Sequence, residues 1–307
     1  MKLSHLLLKI LLINSIFYQC SHTKFSLSSL TSYFSTNYPE EIIQKQIPID
    51  KQSSLYIKNS SGNISITKWN QNSVQIKAIK QASKEEYLNS IDIQIQRTNK
   101  TITVSTITNT EESSTTYVHY ELLVPQYMKT AITTVQGSIT IENLDAPIKA
   151  KTESGNISIS NTTNIVLATT KKGAITIQNV TGDIWATAEH GNIAIDKATK
   201  NLVAKTKKGA IYTTCSDVNS LNKISLMAES GNIVLSLPKK TNASIQAETK
   251  KGKLTCEHFI TLKPKTVQLN KKTWNKMKKE VRGTIGSGDA TIQLSTGAGN
   301  IKILETA

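Results

Sequence analysis

Four aspartates would matter most if this chain catalysed a reaction: Asp183, Asp196, Asp217 and Asp289. A polysaccharide lyase or hydrolase needs carboxylates that converge on one bond. These four fall at different offsets in the repeats described below, so stacking would not bring two of them to the same position in neighbouring repeats. The sequence therefore predicts no catalytic residues and no enzyme activity.

Acidic and basic residues alternate at one position of the repeat, two residues before a glycine. The six are Glu153, Lys171, Glu189, Lys207, Glu229 and Lys250. If one repeat is one layer of a stack, each carboxylate lies between ammonium groups, which keeps it ionised and paired. Such a ladder fixes register and contributes little further stability.

Metal ligands are the next candidates. His190 follows Glu189 but stands where other repeats carry Ser or Lys, which favours a solvated turn residue. The segment Gly286-Ser-Gly288-Asp289 resembles one turn of a calcium-binding glycine-aspartate repeat, yet the second turn is missing. We interpret it as a tight turn and predict no metal site and no cofactor.

Two of the three cysteines, Cys215 and Cys256, lie in the repeat region. The repeat register places them about two strand spacings apart, roughly 9–10 Å. A disulfide needs closer Cα atoms. Both are therefore expected to be structural thiols.

The third cysteine, Cys20, follows an apolar run from Leu6 to Tyr18 that is typical of a secretory signal. Cleavage just before Cys20 would leave it lipid-modified, as in bacterial lipoproteins. Phe17-Tyr18-Gln19 are bulkier than the residues that such processing prefers, so ordinary cleavage nearby and an uncleaved anchor are the alternatives. Export follows from all three.

The net charge of +15 would attract polyanions. Lysines are spread along the chain without interleaved aromatic residues, so no specific nucleic-acid partner is predicted. Residues 263–282 concentrate eight basic residues against one acid. The predicted patch for an anionic partner is Lys271, Lys272, Trp274, Lys276, Lys278, Lys279 and Arg282. A solvated loop that caps the stack is the favoured alternative.

The element that must position all these residues is a repeat. Gly137, Gly155, Gly173, Gly191 and Gly209 follow one another every 18 residues, each before a polar residue and an isoleucine. Spacings of 22 and 21 residues then lead to Gly231 and Gly252, and similar segments start at Gly62 and Gly299. Positions seven, five and three before each glycine hold aliphatic residues, then mostly alanine, then threonine or alanine. This period of two indicates strands.

A repeat this short must stack on its neighbours to bury its apolar face. We therefore predict an all-β fold, a β-solenoid with about 18–22 residues per rung. The predicted segments are 1–20 (signal peptide or anchor), 21–45 (flexible polar tether), 46–130 (irregular N-terminal rungs), 131–262 (regular repeats) and 263–307 (basic capping insert and final rungs). An independent N-terminal β-domain is the alternative for the early part, and one helical turn is expected over 83–88.

Several motifs occur in the order found in one bacterial family. Gly62-Asn-Ile-Ser-Ile precedes Trp69 and Val74, then come Tyr120-Glu-Leu-Leu-Val-Pro125, the glycine ladder and the closing Gly299-Asn-Ile-Lys-Ile. Over about residues 50–305 the chain resembles the bacterial putative-adhesin family, proteins with a head GIN domain. The resemblance implies a single-stranded right-handed parallel β-helix, placement in the envelope or outside the cell, and no established catalytic residues.

The expected function is that of an exported, non-enzymatic cell-envelope protein, an adhesin or scaffold, in the periplasm, at the outer membrane or outside the cell. A polysaccharide-binding or polysaccharide-degrading β-helix protein is the alternative. Expected partners are an envelope glycan, an anionic lipid or a protein, with an N-terminal membrane tether. The sequence leaves the oligomeric state open.

Overall fold

The computed structural model of the protein describes residues 38–109, 116–216, 223–262 and 279–306. Cys20, the predicted signal and residues 21–37 of the predicted tether lie outside these ranges. So do Asp217 and five patch residues, Lys271, Lys272, Trp274, Lys276 and Lys278. The chain divides into two compact units, Met1–Tyr38 and Pro39–Ala307, and every described strand belongs to the second.

The described strands form two long sheets, here called sheet A and sheet B. Sheet A has twelve strands, in the spatial order β1 (Glu40–Pro48), β4 (Ser73–Ala82), β7 (Thr116–Pro125), β3 (Ile64–Trp69), β9 (Ile139–Glu142), β11 (Ile157–Thr162), β13 (Ile175–Val180), β15 (Ile193–Ala198), β17 (Ile211–Cys215), β19 (Ile233–Pro238), β25 (Ile301–Thr306) and β21 (Leu254–Cys256). Both sheets turn one face to a shared apolar core.

Sheet B has thirteen strands. Their spatial order is β22 (Thr261–Leu262), β23 (Glu280–Ile285), β20 (Ala243–Lys251), β24 (Ala290–Ala298), β18 (Lys223–Ser230), β16 (Leu202–Lys208), β14 (Ile184–His190), β12 (Val166–Lys172), β10 (Ile148–Ser154), β8 (Lys129–Gln136), β2 (Ser54–Ser61), β6 (Thr101–Thr108) and β5 (Ile91–Arg97). Each central repeat gives one strand to sheet B and the next to sheet A.

The central strands are parallel, and their register confirms the predicted inward columns. Ile148 pairs with Val166 in sheet B, and Ile157 pairs with Ile175 in sheet A, in each case 18 residues later. The aliphatic, alanine and threonine positions before each glycine are buried throughout the repeats. Strands alternate their side chains between two faces, so this burial leaves every second residue on the outer face.

The glycine column lies at the corner between a sheet B strand and the following sheet A strand. Gly155 has φ of 151°, and a Cβ there would collide with the carbonyl oxygen of Gly137 in the previous layer. The same carbonyl accepts the Thr152 hydroxyl at 3.0 Å. The close approach of one layer to the next therefore requires glycine at this corner. The buried Thr152 hydroxyl supplies a hydrogen bond to the glycine carbonyl that the close approach buries.

The C-terminal layers are not stacked in chain order, which corrects the predicted register. Ile224 of β18 pairs with Ile292 of β24, and Ile292 pairs with Ile245 of β20. The last two long strands thus insert between repeats that are consecutive in sequence. Cys215 and Cys256 are consequently three strand spacings apart, roughly 14 Å, instead of two.

The N-terminal part also differs from the expected series of wider rungs. Strands β2 and β3 stack directly on β8 and β9, whereas β4 runs antiparallel to β7 and β5 runs antiparallel to β6. The helical turn predicted over 83–88 is present as α1 (Glu85–Leu88).

Strand β1 lies where the polar tether was predicted to continue to residue 45. It pairs antiparallel with β4 over nine residues, and Ile43 and Ile47 pack against the core. The contacts of these two isoleucines with the core stabilise β1, although most of its other residues are polar.

At the other end, part of the predicted capping insert forms β23. It pairs antiparallel with β20 and so covers the edge of that strand, as a cap should. Within the described ranges, no helix combines the length and apolar character that a membrane crossing requires.

Candidate binding surface

The outer face of sheet B carries a row of side chains, several of them large, that the core does not use. Adjacent strands from β2 to β16 place one residue each in this row, which we call the outer stripe: Tyr56, Ala131, Lys149, Leu167, Trp185 and Val203. Tyr56 is 49% exposed, and Leu167 and Trp185 are each 39% exposed. Three large side chains with apolar surface thus face solvent on the same side of sheet B.

A second row runs beside the first, two residues further along each strand. This lysine stripe consists of Lys58, Thr133, Lys151, Thr169, Thr187 and Lys205. All six are exposed. The two stripes together contain four lysines and no carboxylate, so the surface is cationic and partly apolar.

A shallow depression of about 150 Å³ opens on this face. Its lining includes Tyr56, Ala131, Pro147, Lys149 and Lys129. The small Ala131 side chain stands between the larger Tyr56 and Lys149 of the neighbouring strands, which explains the depression. An aromatic side chain and a lysine side chain therefore border one depression, an arrangement able to hold part of a ligand.

Comparison with known protein families shows which family the chain belongs to. The Toastrack DUF4097 family matches residues 21–304. The chain belongs to this family. The Toastrack match covers both sheets, including the outer stripe and the lysine stripe.

Solved structures similar to this Toastrack chain share little sequence with it. A protein described as a putative adhesin from Bacteroides fragilis is 14% identical, with a TM-score of 0.40, covering 87% of this chain and 97% of its own. A putative cell adhesion protein from Clostridium sporogenes is 12% identical, with a TM-score of 0.29, covering 88% of this chain and 100% of its own. No curated protein matches the chain.

A third row of the Toastrack surface is the predicted charge ladder, next to the lysine stripe. Lys171 Nζ lies 2.7 Å from Glu153 Oε1, and Lys207 Nζ lies 3.4 Å from Glu189 Oε2. The hydrogen bond from Lys171 lowers the pKa of Glu153, and the same bond raises the pKa of Lys171. The ladder thus neutralises its own charge, as predicted.

The predicted continuation of this ladder fails at its end. Glu229 and Lys250 belong to β18 and β20, which are separated by β24 with Gly297 between them. Inserting the last strands replaces the expected ion pair by a glycine spacer.

Two of the four aspartates weighed as catalytic groups, Asp183 and Asp289, have structural partners. Asp183 Oδ1 accepts the backbone N–H of Asn201 at 3.2 Å, and Asp289 Oδ2 accepts the Ser287 hydroxyl at 2.7 Å. The tight turn predicted at Gly286 and Gly288 is confirmed by their φ angles of 58° and 85°. In the described part of the chain, no three His, Cys, Asp or Glu side chains gather as a metal site would require.

Both described thiols are free. Burial raises the pKa of Cys215 to about 12. Burial also raises the pKa of Cys256, with a weaker opposing effect of its contact with the His258 carbonyl. Neither group is poised as a thiolate nucleophile or ligand at neutral pH.

Only two members of the predicted anionic-partner patch fall within the described residues. Lys279 Nζ donates to the Lys250 carbonyl at 3.0 Å, and Arg282 Nε lies 2.6 Å from Glu280 Oε1. Both cations are engaged within the chain at the β20 edge. The outer stripe, by contrast, was not predicted from the sequence. Its members all lie six residues before a glycine of the repeat, as Lys149, Leu167 and Trp185 do, and this shared position could have identified it.

Proposed function

We propose that this protein is an exported, non-enzymatic component of the cell envelope that acts as an adhesin or scaffold through the outer face of sheet B. The observation that carries the proposal is the pairing of the outer stripe with the lysine stripe. Across six strands these rows hold exposed aromatic, aliphatic and cationic side chains without a carboxylate.

Such a surface is better suited to binding than to solubility. Contiguous exposed apolar side chains on soluble proteins mark interaction sites, and aromatic residues are enriched where partners dock. Each stripe residue stands on a strand hydrogen-bonded to neighbours on both sides. The face is therefore rigid, and a partner would order few side chains on binding.

Absence of catalysis is part of the same proposal. The glutamates nearest the face are paired with lysines. The hydrogen bond from Lys171 lowers the pKa of Glu153, which makes that carboxyl unsuited to general acid chemistry. Nothing in this arrangement supplies the second, perturbed carboxylate that glycoside chemistry needs.

The finer features of the fold and of export complete the proposal. The solenoid winds to the right with 18–22 residues per rung, in keeping with the strong preference of parallel crossovers for that hand. The N-terminal segment directs export, with Cys20 as the lipidation site, with cleavage elsewhere or as an uncleaved anchor. The head GIN domain character implied by the sequence resemblance stays a prediction.

Intact cells test this account in two steps. A membrane-impermeant amine label should reach the protein from outside, and cells carrying Trp185→Asp should attach less well to the surfaces that wild-type cells bind. Tyr212→Asp is the matched control, because Tyr212 is 44% exposed on the outer face of sheet A. Protein found only in the cytoplasm, or equal attachment by both variants, would overturn the proposal.

A further inference from the structure

We infer that the ligand of the sheet B face is a linear anionic polysaccharide of the polyuronate class, lying along the stack across successive strands. This inference rests on the proposed function and names the chemistry of its partner. It depends on four features of the face: its spacing, its charge, the partial burial of its apolar side chains and its depression.

The spacing of the strands suits a polymer. Adjacent strands lie about 4.8 Å apart, close to the length of one sugar unit in an extended chain. Tyr56 and Trp185 are four strands apart in the outer stripe, or roughly 19 Å. A polysaccharide along this row would meet one strand per sugar, with an aromatic side chain near each end of a five-strand segment.

The charge of the face selects an anion. Lys149 lies within the outer stripe, Lys58, Lys151 and Lys205 lie in the lysine stripe, and Lys129 borders the depression. Within the described part of the chain, none of these five amines forms a direct salt bridge, although Lys151 attracts the Glu153 carboxylate from a distance and helps to lower its pKa. A carboxylate repeated along a polymer would meet several amines at once, and several weak charge contacts add up when one chain carries them.

The partial burial of the apolar side chains favours a polymer over a lipid surface. Anchoring in a bilayer requires apolar groups that reach the acyl boundary. Leu167 and Trp185 are each only 39% exposed, so more than half of each side chain is already covered by its surroundings. Such side chains offer a contact surface to a chain lying on them but little free apolar surface to insert into a bilayer.

The depression would hold one sugar unit of the polymer in place. The Tyr56 ring and the Lys149 stem form opposite sides of the 150 Å³ space above Ala131. Tyrosine pairs an apolar ring with a polar hydroxyl, which matches the apolar ring face and hydroxyl edge of a sugar. The amine opposite suits the carboxylate of the same sugar.

Calorimetry with the full-length mature protein tests the inference, with polygalacturonate and alginate as probes. Trp185→Ala and Lys149→Gln should each weaken binding about tenfold, the cost of losing one important contact. The matched controls are Tyr212→Ala and Lys302→Gln, both exposed on the outer face of sheet A, and they should bind as the wild type does. Raising the salt concentration should weaken binding further.

Three outcomes would overturn the inference. They are binding to neither polyuronate, equally tight binding to fully methyl-esterified polygalacturonate, and equal loss in the sheet A controls. Binding only to phosphatidylglycerol vesicles, weakened by the same two variants, would assign the face to lipid. If polyuronates fail while Trp185→Asp still reduces cell attachment, the proposed function stands and only the ligand class is wrong.

Discussion

The amide oxygen of Asn156 accepts the backbone N–H of Ala174 at 2.8 Å, linking two residues 18 positions apart at the same corner of neighbouring layers. The contact recurs along the column. Asn63, Asn192, Asn232 and Asn300 make it at 2.8 to 2.9 Å to Ser138, Ala210, Asn300 and Lys253. Asparagine after the glycine therefore fastens one layer to the next where the chain leaves sheet B.

Replacing Asn156 by alanine should lower the free energy of unfolding by about 1 kcal/mol, the usual net value of one hydrogen bond. Chemical denaturation at constant pH measures it. Ser158→Ala is the control, because Ser158 is exposed two residues later in β11 and has no side-chain hydrogen bond among the described contacts. Equal effects of the two substitutions would show that the amide contact does not stabilise the stack.

Alanine at Gly173 should be far more damaging. Its φ is 147°, and the added methyl group would collide with the Gly155 carbonyl. We expect a loss of at least about 2 kcal/mol from backbone strain alone. Lys172→Ala, one residue earlier and exposed, should change the melting temperature little. A Gly173→Ala variant that melts with the wild type would contradict the close stacking of the glycine column.

The inward register can be tested on one strand. Ile193 is fully buried between Ile175 and Ile211, so Ile193→Asp should abolish cooperative unfolding, because an unpaired buried charge costs several kcal/mol. Ala194→Asp places the same group on the outer face and should leave a folded protein. Circular dichroism melts distinguish the two, and a folded Ile193→Asp variant would refute the inward assignment.

Stability should fall at mildly acidic pH through His119. Its Nδ1 accepts the backbone N–H of Asn63 at 3.1 Å, and burial lowers its pKa below 6.5, while Glu40 and Glu121 act weakly in the opposite direction. The unfolded chain therefore binds the proton more readily. The contribution is complete above pH 6.5 and is lost as the pH falls through the folded pKa.

His119→Asn keeps an acceptor at that position without the titration. Its melting temperature should therefore drop less than that of the wild type between pH 7.5 and 5.5. His190→Asn, at an exposed position, is the control and should keep the wild-type slope. Equal slopes for the His119 variant and the wild type would exclude this residue as the source.

Much of the fold was predictable because core positions recur at a fixed period. The pairing of Lys171 with Glu153 follows from an alternation that only one stacking register satisfies. The insertion of β24 and β25 was not predictable, because their inward columns fit equally well after β18 or after β20. The opposite charges of Glu229 and Lys250 even favoured the wrong neighbour.

The binding surface was harder to find than the core. Outward positions experience no packing constraint, so Leu167, Trp185 and Lys149 share an offset but not a residue type. Tyr56 shares that offset before Gly62, and the strand register places it in the same row as the three later residues. The basic segment near Trp274 was predicted as the partner surface instead, because its basic residues lie close together in the sequence.

Hydroxyl-radical footprinting of the full-length protein, with and without polygalacturonate, tests the sheet B face most directly. Tyr56, Trp185 and Tyr212 are comparably exposed, at 49%, 39% and 44%, so each reports on its own face within one sample. The account predicts that the polymer protects Tyr56 and Trp185 from oxidation and leaves Tyr212 unchanged. Protection of Tyr212 alone, or of none of the three, would contradict it.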